Sequence, residues 1–445
     1  MKFNQIKIKR LRRRIIITAL SVSLFLTLCQ QLTALHIPGV KGDGIHDDTE
    51  GIQALLDSRA STVRLPQPPK HYLISKTLKI HSYQTLIVDR YAVIRLTDYA
   101  HAHLLTNSDK VGGNIGITVI GGIWDGNNAT QTSPYHQDRK NRFLPYDPDR
   151  YMGMLMHFDN VTDLHIADMT YKDPEQFGFW GGNLHRFTIE NITFDYTYTL
   201  EPIESNPNPD AARWRVMCGV QIQGNSSHGR IANLKGTTYD DMVALNADSY
   251  PFEEIGKGPI TDIHVDGIWS ENGYRAVRLL SCESPIKRIK ISNIFCKVIR
   301  DVVILSDPGF HPCSNSLYED ISISGVFCSN ASENHKRPHI WIYAPANVSN
   351  LSISDCHRTE TEQVSDVVYL EKGATIDRLS ISNASLINHC DKNMTFVNNQ
   401  GTIGVLHLSN IFMQSKNPNQ VELVRNTGQI KLLSKTDVSV NGQSE

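Results

Sequence analysis

Two adjacent aspartates, Asp240 and Asp241, come directly before a short apolar strand pattern around Val243 and Leu245. At least one of these carboxylates is expected at the entrance of a strand, because an ionised side chain is costly to bury in a core. Neighbouring carboxyl groups push their pKa values apart, so that one can keep a proton while the other stays ionised. This division suits general acid–base chemistry, and cleavage of a glycosidic bond is a reaction that uses such a pair.

The rest of the chain carries a repeat that could hold this pair in place. Two apolar residues one position apart are followed, after any one residue, by Asn, Asp or Gly, about every 23–34 residues where no insertion intervenes. The residues that end the repeats are Gly121, Asp168, Asn191, Asn233, Gly267, Asn293, Gly325, Asp355, Asn383 and Asn410. Such short strands cannot bury a face alone, whereas stacking them buries a continuous core. No ten-residue amphipathic helix interrupts them, so the sequence predicts an all-β fold, a single long parallel β-helix.

Stacking the coils also brings polar residues into rows. The inward pairs of four coils are Val220/Ile222, Val243/Leu245, Val277/Leu279 and Val303/Leu305. Three further rows follow from this alignment. The row two residues before the inward pairs holds Cys218, Asp241, Arg275 and Asp301, and the row one residue further back holds Met217, Asp240, Tyr274 and Arg300. The row between the two members of each pair, which faces outward, holds Gln221, Ala244, Arg278 and Ile304. Successive coils are about 4.8 Å apart, so carboxylates, guanidinium groups and a phenol share one edge.

This row would suit a polysaccharide groove, because arginines can pair with uronate carboxylates through two hydrogen bonds. We therefore expect a polysaccharide partner. The candidate substrate-binding residues are Gln221, Tyr274, Arg275, Arg278, Arg300 and Asp301.

The overall charge balance argues against nucleic acid as a partner, since 44 basic residues face 46 acidic ones. Residues 2–14 are rich in Lys and Arg, and residues 15–28 are apolar. This pattern predicts a secretory signal with cleavage after Ala34, or an uncleaved signal anchor as the sole membrane attachment. Either would place the rest of the chain in a secreted, periplasmic or cell-surface location.

The cysteines and histidines do not predict a metal site, because no C-x-x-C pair and no His pair with ligand spacing occur. Cys296, Cys328 and Cys356 recur about once per repeat, which favours stacked core residues over disulfides. We expect neither a metal nor another cofactor, except under the lyase alternative below.

Residues 39–56 combine a glycine turn with a capped amphipathic helix. Asp47 or Asp48 could cap this helix, and Glu50 fits a capping box with Asp47. The apolar face consists of Ile52, Leu55 and Leu56. The whole string resembles the opening signature of the pectate-lyase-like superfamily of right-handed parallel β-helices. The resemblance implies that the helix covers one open end of the solenoid.

The resulting organisation is a signal segment over residues 1–34 followed by one β-helix domain over 35–445. The N-terminal cap spans about 39–60, and polar, Pro-rich insertions occupy about 126–152 and 197–215.

Residues 236–247 resemble the Asp-Asp element of the polygalacturonase family of glycoside hydrolases, and residues 121–126 are similar to the family's upstream Gly-rich Ile-Asp-Gly stretch. The resemblance implies that Asp240 and Asp241 are catalytic. The sequence departs from the family at other positions. The aspartate of the Asn-x-Asp element falls on Cys218, the histidine of Gly-His-Gly falls on Tyr274 or Arg275, and the nearest counterpart of Arg-x-Lys is Arg300.

The missing aspartate leaves three interpretations open. A hydrolase would use the pair Asp240/Asp241, alone or with a further carboxylate. The candidates for that carboxylate are Asp195, Glu201, Glu204, Asp210 and Asp301. A lyase would use Arg275 as base, with Asp241 or Asp301 binding Ca²⁺. A non-catalytic β-helix would only bind saccharide.

Overall fold

The computed structural model describes residues 38–133, 147, 149–197, 217–248, 256–298, 300–306, 313, 315–330, 337–360 and 365–444. The predicted signal segment, most of both predicted insertions, and the candidates Glu201, Glu204 and Asp210 lie outside these residues.

The described chain winds into a right-handed parallel β-helix, as the repeat predicts. Each strand pairs in parallel with its counterpart one coil later, and the exception among the named strands is the final antiparallel pair. One continuous apolar core runs along the solenoid from Ile52 to Val438.

The N-terminal coils consist of short strands and one helix. These elements are β1 (Asp43–Asp47), α1 (Thr49–Asp57), β2 (Thr62–Leu65), β3 (His71–Ile74), β4 (Leu78–Ile80), β5 (Thr85–Val88), β6 (Val93–Leu96), β7 (Leu105–Asn107), β8 (Asn114–Ile120) and β9 (Ile123–Asp125). A 3-10 helix, Asn128–Thr130, follows them.

Long strands then form two of the three faces of each coil. They are β10 (Met154–Ala167), β12 (Phe177–Asp195), β14 (Ser226–Gly236), β16 (Ile260–Gly273), β18 (Ile286–Val298), β20 (Ser316–Asn330), β22 (Ala346–Glu360), β24 (Thr375–Asn388), β26 (Thr402–Ser415) and β28 (Gln429–Val440). The short strand β11 (Thr170–Lys172) lies beside β12, and β29 (Gln443–Ser444) ends the chain antiparallel to β28.

The third face is a sheet of shorter strands, which we call the front sheet. Its strands are β13 (Cys218–Gln223), β15 (Asp241–Asn246), β17 (Arg275–Leu280), β19 (Val303–Ser306), β21 (Ile340–Ile342), β23 (Val368–Leu370), β25 (Met394–Asn399) and β27 (Val421–Asn426). The first halves of β10 and β12 extend it towards the N-terminus. A second 3-10 helix, Pro418–Gln420, precedes β27.

The residue that ends each predicted repeat is the corner of a coil. All ten of these Asn, Asp and Gly residues have a left-handed backbone, with φ between 51° and 84°. This conformation turns the chain between two faces, and Asn, Asp and Gly adopt it most readily. The corners also bond to one another: Asn191 Nδ2 donates to Asp168 Oδ1 (2.8 Å), and Asn233 Nδ2 donates to Asn191 Oδ1 (3.0 Å).

The N-terminal helix is present, with Ile52 and Leu56 buried as predicted, but the expected capping box is wrong. The Asp48 carboxylate instead accepts the backbone N–H groups of Lys41 (2.7 Å) and Gly42 (3.1 Å), which belong to the preceding turn. Glu50 is exposed and pairs with Lys76 at 3.1 Å. Asp48 therefore connects the N-terminal helix to the preceding turn, and Glu50 connects it to Lys76 of the following coil.

Cys296 and Cys328 are buried on adjacent coils in register, as stacked core residues would be. Cys356 is also a buried free cysteine, but it pairs with Val326, so its predicted place in the cysteine stack is wrong. The structure adds a disulfide between Cys282 and Cys313 that the repeat did not predict. In the described part of the chain, no helix has both the length and the apolar character needed to cross a membrane.

Replacing a corner asparagine with a β-branched residue should destabilise the solenoid. We expect Asn233→Val to lower the free energy of unfolding by roughly 1–3 kcal/mol, because valine is strained in the left-handed region. Asn233→Gly keeps that conformation and should stay within about 1 kcal/mol of the wild type. Urea unfolding followed by circular dichroism measures both, and equal stability of the two variants would contradict the corner assignment.

Candidate active site on the front sheet

The register of the front sheet matches the predicted alignment of the coils. Val220 pairs with Val243, and Val277 pairs with Val303. Asp241 pairs directly with Arg275 on the next coil. The predicted row of polar side chains is therefore formed at the entrance of strands β13, β15, β17 and β19.

Asp240, Asp241 and Cys218 form a tight cluster at this edge. A carboxylate oxygen of each aspartate and the cysteine Sγ all lie within 4.8 Å of one another. Asp241 is only 3% exposed, whereas Asp240 is half-buried. The Asp240 carboxylate also accepts the backbone N–H of Asp241 at 3.0 Å, which fixes one aspartate relative to the other.

Arg275 links Asp241 to Asp301 on the opposite side. Its Nη1 donates to Asp241 Oδ1 at 2.5 Å, its Nη2 donates to Asp301 Oδ1 at 3.2 Å, and its Nε also donates to Asp301. All three side chains are buried. We refer to Asp241, Arg275 and Asp301 as the ion triad. Its bonds are made within the protein, so we reassign Arg275 and Asp301 from substrate binding to positioning of Asp241.

The charge of Arg275 is secured by its partners. Burial alone would lower the pKa of this guanidinium, but the negative charges of Asp301 and Asp241 outweigh burial and hold the pKa well above its usual value. Arg275 therefore stays protonated and is a poor candidate for the base of a lyase. Cys218, Asp240 and Asp241 lie close enough together to hold a metal ion. The Arg275 guanidinium already supplies a positive charge to Asp241, so the cluster does not need a metal ion to balance its charge.

Asp240 is the group in the cluster that can exchange a proton near neutral pH. Burial of the carboxyl, followed by the negative charge of Asp241, raises the pKa of Asp240 to about 7. The positive charges of Arg275 and Arg278 oppose this rise without cancelling it. The two adjacent aspartates are thus in different environments, one beside a guanidinium and the other beside a carboxylate.

Cys218 stands where the resemblance to polygalacturonases leads one to expect an aspartate, and a thiol has different acid–base chemistry from a carboxyl group. Burial, together with the negative charges of Asp240 and Asp241, raises the pKa of its thiol well above the usual value. The thiol stays protonated, so it is neither a base nor a reactive nucleophile.

Two of the remaining candidates lie on the outward face of the front sheet. Gln221 is buried, and its Oε1 accepts a hydrogen bond from Asn246 Nδ2 at 2.7 Å. The side chain of Arg278 is 26% exposed, and its Nη1 lies 3.8 Å from Asp241 Oδ2. Arg278 thus reaches from the ion triad to the surface.

Tyr274 and Arg300 continue the row of Asp240. The Tyr274 ring contacts two guanidinium groups, with its centroid 5.4 Å from that of Arg275 and 4.8 Å from that of Arg300. Burial raises the pKa of Tyr274 to about 12, so its hydroxyl keeps its proton. The candidate Asp195, by contrast, is exposed and pairs with Lys172 at 3.3 Å in the coil face formed by β11 and β12.

The row extends one coil further than the sequence analysis followed it. Val303 pairs with Ile340, so Arg337 occupies the position on β21's coil that Arg300 occupies on the coil before. The Arg337 guanidinium lies over the ring of Trp341 at 4.5 Å. Counting three residues back from Ile340 would have found Arg337, but the alignment stopped at Val303.

Comparisons with solved structures support the fold. The surface protein and adhesin PfbA of Streptococcus pneumoniae aligns with 88% of this chain and 98% of its own, at 14% identity and a TM-score of 0.54. The A-module of the mannuronan C-5 epimerase AlgE6 of Azotobacter vinelandii aligns with 89% of this chain and 97% of its own, at 13% identity and a TM-score of 0.52. A mutant tailspike protein of Escherichia coli bacteriophage HK620, in complex with a hexasaccharide, aligns with 89% of this chain and 75% of its own, at 12% identity and a TM-score of 0.54.

The TM-scores and the coverage of these alignments show a shared β-helix fold. No protein-family model matches the sequence, and no curated protein matches it.

Removing the central cation of the ion triad should strongly destabilise the fold. Arg275→Met removes the guanidinium that both buried carboxylates share and leaves Asp241 only the Arg278 guanidinium at 3.8 Å, so we expect the free energy of unfolding to fall by about 3–5 kcal/mol. Arg278→Met removes a partly exposed arginine of the same sheet and should cost about 1 kcal/mol or less. Denaturant unfolding of both variants tests this, and a comparable loss in the two would contradict the triad's structural role.

Proposed function

We propose that the protein is a carbohydrate-active enzyme that hydrolyses a glycosidic bond of a polysaccharide. Asp240 would donate the proton to the leaving oxygen, and Asp241 would act as the ionised carboxylate. The observation that carries this proposal is the asymmetry of the pair: Asp240 is half-buried with a pKa of about 7, whereas Asp241 bonds to the guanidinium of Arg275.

The asymmetry provides what glycosidic cleavage needs from two carboxyl groups. A leaving sugar oxygen departs readily only when it receives a proton, and an acid with a pKa near the working pH transfers one most efficiently. The transition state carries positive charge at the anomeric carbon, which an ionised carboxylate stabilises. Asp241 would supply that charge, and the hydrogen bond from Arg275 Nη1 orients its carboxylate.

The Asp241 carboxylate has two possible roles towards the anomeric carbon. It can attack this carbon directly, for which the separation of at most 4.8 Å between carboxylate oxygens of the pair is the better match, or it can activate a water molecule, for which the carboxyl groups are usually about 6.5–9.5 Å apart. Cys218 cannot share either task because its thiol stays protonated. The anomeric configuration of the product distinguishes the two roles, since direct attack retains the configuration and attack by water inverts it.

The geometry is less favourable to the lyase alternative. β-Elimination would need a base, and the Asp301 and Asp241 carboxylates hold the Arg275 guanidinium protonated. Both carboxylates that could bind Ca²⁺ are already bonded to this guanidinium. Calcium sites in proteins usually collect six to eight oxygen ligands, whereas this cluster offers a few oxygens beside a cation.

The solenoid fold is compatible with a polysaccharide partner. The structurally similar HK620 tailspike is in complex with a hexasaccharide, and the similar AlgE6 module belongs to a mannuronan epimerase. An exported location would give such an enzyme access to polymeric sugars, in keeping with the predicted signal segment.

The proposal predicts a specific pH dependence. Asp240 is in its active, protonated form below its pKa, so kcat/KM should fall roughly tenfold per pH unit above about pH 7. Asp240→Asn cannot donate a carboxyl proton and should lower kcat by about 10²–10⁴. Release of reducing ends from a panel of acidic and neutral polysaccharides, read together with ultraviolet absorbance, measures both effects.

Asp168→Asn is the matched control, because it makes the same chemical change at an exposed coil corner where asparagine keeps the left-handed backbone. It should retain full activity. Unchanged turnover by Asp240→Asn would refute the assignment of the acid. An absorbing, unsaturated product without hydrolysis would instead establish the lyase reaction.

A further inference from the structure

The sulfur atoms of Cys296 and Cys328 lie closer together than two separate thiols normally do. The two Sγ atoms are 2.9 Å apart. Non-bonded carbon atoms rest at about 3.5–4.0 Å from each other, and sulfur is the larger atom. The sulfur atoms of a disulfide are about 2.05 Å apart, so a movement of roughly 0.9 Å would bring this pair to bonding distance. The side chains are therefore already placed for a covalent bond between them.

The backbone of the two coils also allows this bond. Cys296 on β18 pairs directly with Cys328 on β20 in the parallel ladder. Neighbouring strands are about 4.8 Å apart, which falls within the Cα–Cα range of about 4.4–6.8 Å that disulfides span. Both side chains belong to the buried core of the solenoid, so they meet in the same interior. No shift of the register is needed to join them.

A disulfide is already present in the same stretch of the solenoid. Cys282, which follows β17, is bonded to Cys313, which precedes β20. Disulfides form and persist in oxidising compartments. A chain that acquires the Cys282–Cys313 bond exposes the thiols of Cys296 and Cys328 to the same oxidant while it folds.

We propose that Cys296 and Cys328 form a second disulfide, which links β18 to β20 through the core. The oxidant is a low-molecular-weight disulfide of the glutathione type. One cysteine thiolate attacks this oxidant and displaces one external thiol, which leaves a mixed disulfide on the protein. The second thiolate attacks the protein sulfur of the mixed disulfide and displaces the other external thiol. Two protein thiols and one external disulfide thus become one protein disulfide and two external thiols.

The chemistry of the two thiols places this step during folding. The thiolate is the form that attacks a disulfide. In the folded protein, burial raises the pKa of the Cys328 thiol well above its usual value, and the contact with Cys296 raises it further. A close-packed core also has no room for a mixed disulfide. The bond therefore forms while the coils dock, and burial then shields it from reductants.

The second disulfide would enclose the coil that carries one member of the ion triad. The chain between Cys296 and Cys328 contains β19 and the buried Asp301. The Cys282–Cys313 bond encloses Asp301 as well. Two covalent links would then hold this coil to its neighbours. The inference is independent of the reaction proposed for the site, so the failure of one leaves the other standing.

Peptide mapping of the wild type tests the bond directly. The full chain is reduced, unfolded and refolded in a mixture of reduced and oxidised glutathione, and its free thiols are then alkylated under denaturing conditions. Trypsin without reductant releases Cys296 within residues 291–297, Cys282 within residues 279–287, and both Cys313 and Cys328 within residues 301–336. We expect mass spectrometry to find these three peptides joined. Further cleavage after Glu319 separates Cys313 from Cys328 and identifies the partner of each.

The digest contains its own control, because the Cys282–Cys313 bond reports that the refolding conditions allow disulfides to form. A link between residues 291–297 and the fragment with Cys328 supports the proposal. Alkylated Cys296 in nearly all refolded molecules would overturn it. When oxidised glutathione is added instead to protein that folded in reductant, we expect the link to form at least about tenfold more slowly, because the thiols are then buried.

Variants distinguish a bond from ordinary packing of two small side chains. Cys296→Ala and Cys328→Ala each remove the bond, so each should lower the Tm of the refolded protein by at least about 3 °C. The double variant should lose less than the sum of the two, because the bond can be lost only once. Cys356→Ala is the matched control, since it removes a buried free cysteine and should keep the link. Additive losses, or loss of the link in Cys356→Ala, would contradict the proposal.

Discussion

The ion triad of Asp241, Arg275 and Asp301 is the interaction on which the proposed site depends. Three buried charges are acceptable only because each carboxylate bonds to the same guanidinium. The triad fixes where the Asp241 carboxylate lies. The charge of Asp241, together with burial, then raises the pKa of Asp240. One structural element thus separates the two adjacent aspartates into a base-like and an acid-like group.

The solenoid makes this arrangement possible because its coils repeat in register. Residues that are 34 and 26 positions apart in sequence, Asp241 to Arg275 and Arg275 to Asp301, become neighbours on consecutive strands. The left-handed corners keep the coils in phase, and their side chains form hydrogen bonds along the outside. A rigid scaffold of this kind positions polar groups on one edge without requiring a pocket in the core.

Much of the fold could be predicted from the sequence because a corner needs a specific residue type. Asn, Asp and Gly mark the turns since they tolerate positive φ, and the inward residues fix the register between the turns. Counting back from the inward residues also predicted the rows of polar side chains that contain Asp240 and Asp241. The predicted N-terminal capping box is wrong because the Asp48 carboxylate accepts hydrogen bonds from the backbone of the preceding loop. The sequence pattern at the start of the helix does not indicate this contact.

The roles within the site were harder to predict than its location. Sequence spacing places Arg275 beside Asp241, but it cannot tell whether the guanidinium faces a substrate or a second carboxylate. The structure decides this through the burial of Asp301. Arg337 was missed because the alignment of the inward pairs ended at Val303, one coil before Ile340. Its proximity to Arg300 depends on the pairing of Val303 with Ile340.

The protonation state of Asp240 tests the central claim most directly. Infrared difference spectra of the wild type against Asp240→Asn, recorded from about pH 5 to pH 9, isolate the carbonyl band of a protonated Asp240 carboxyl group. The account predicts that this band is present at about pH 6, absent from the variant, and lost with a midpoint near pH 7. A wild-type spectrum without the band at about pH 6 would show that Asp240 is already ionised, and the proposed proton donor would then be ruled out.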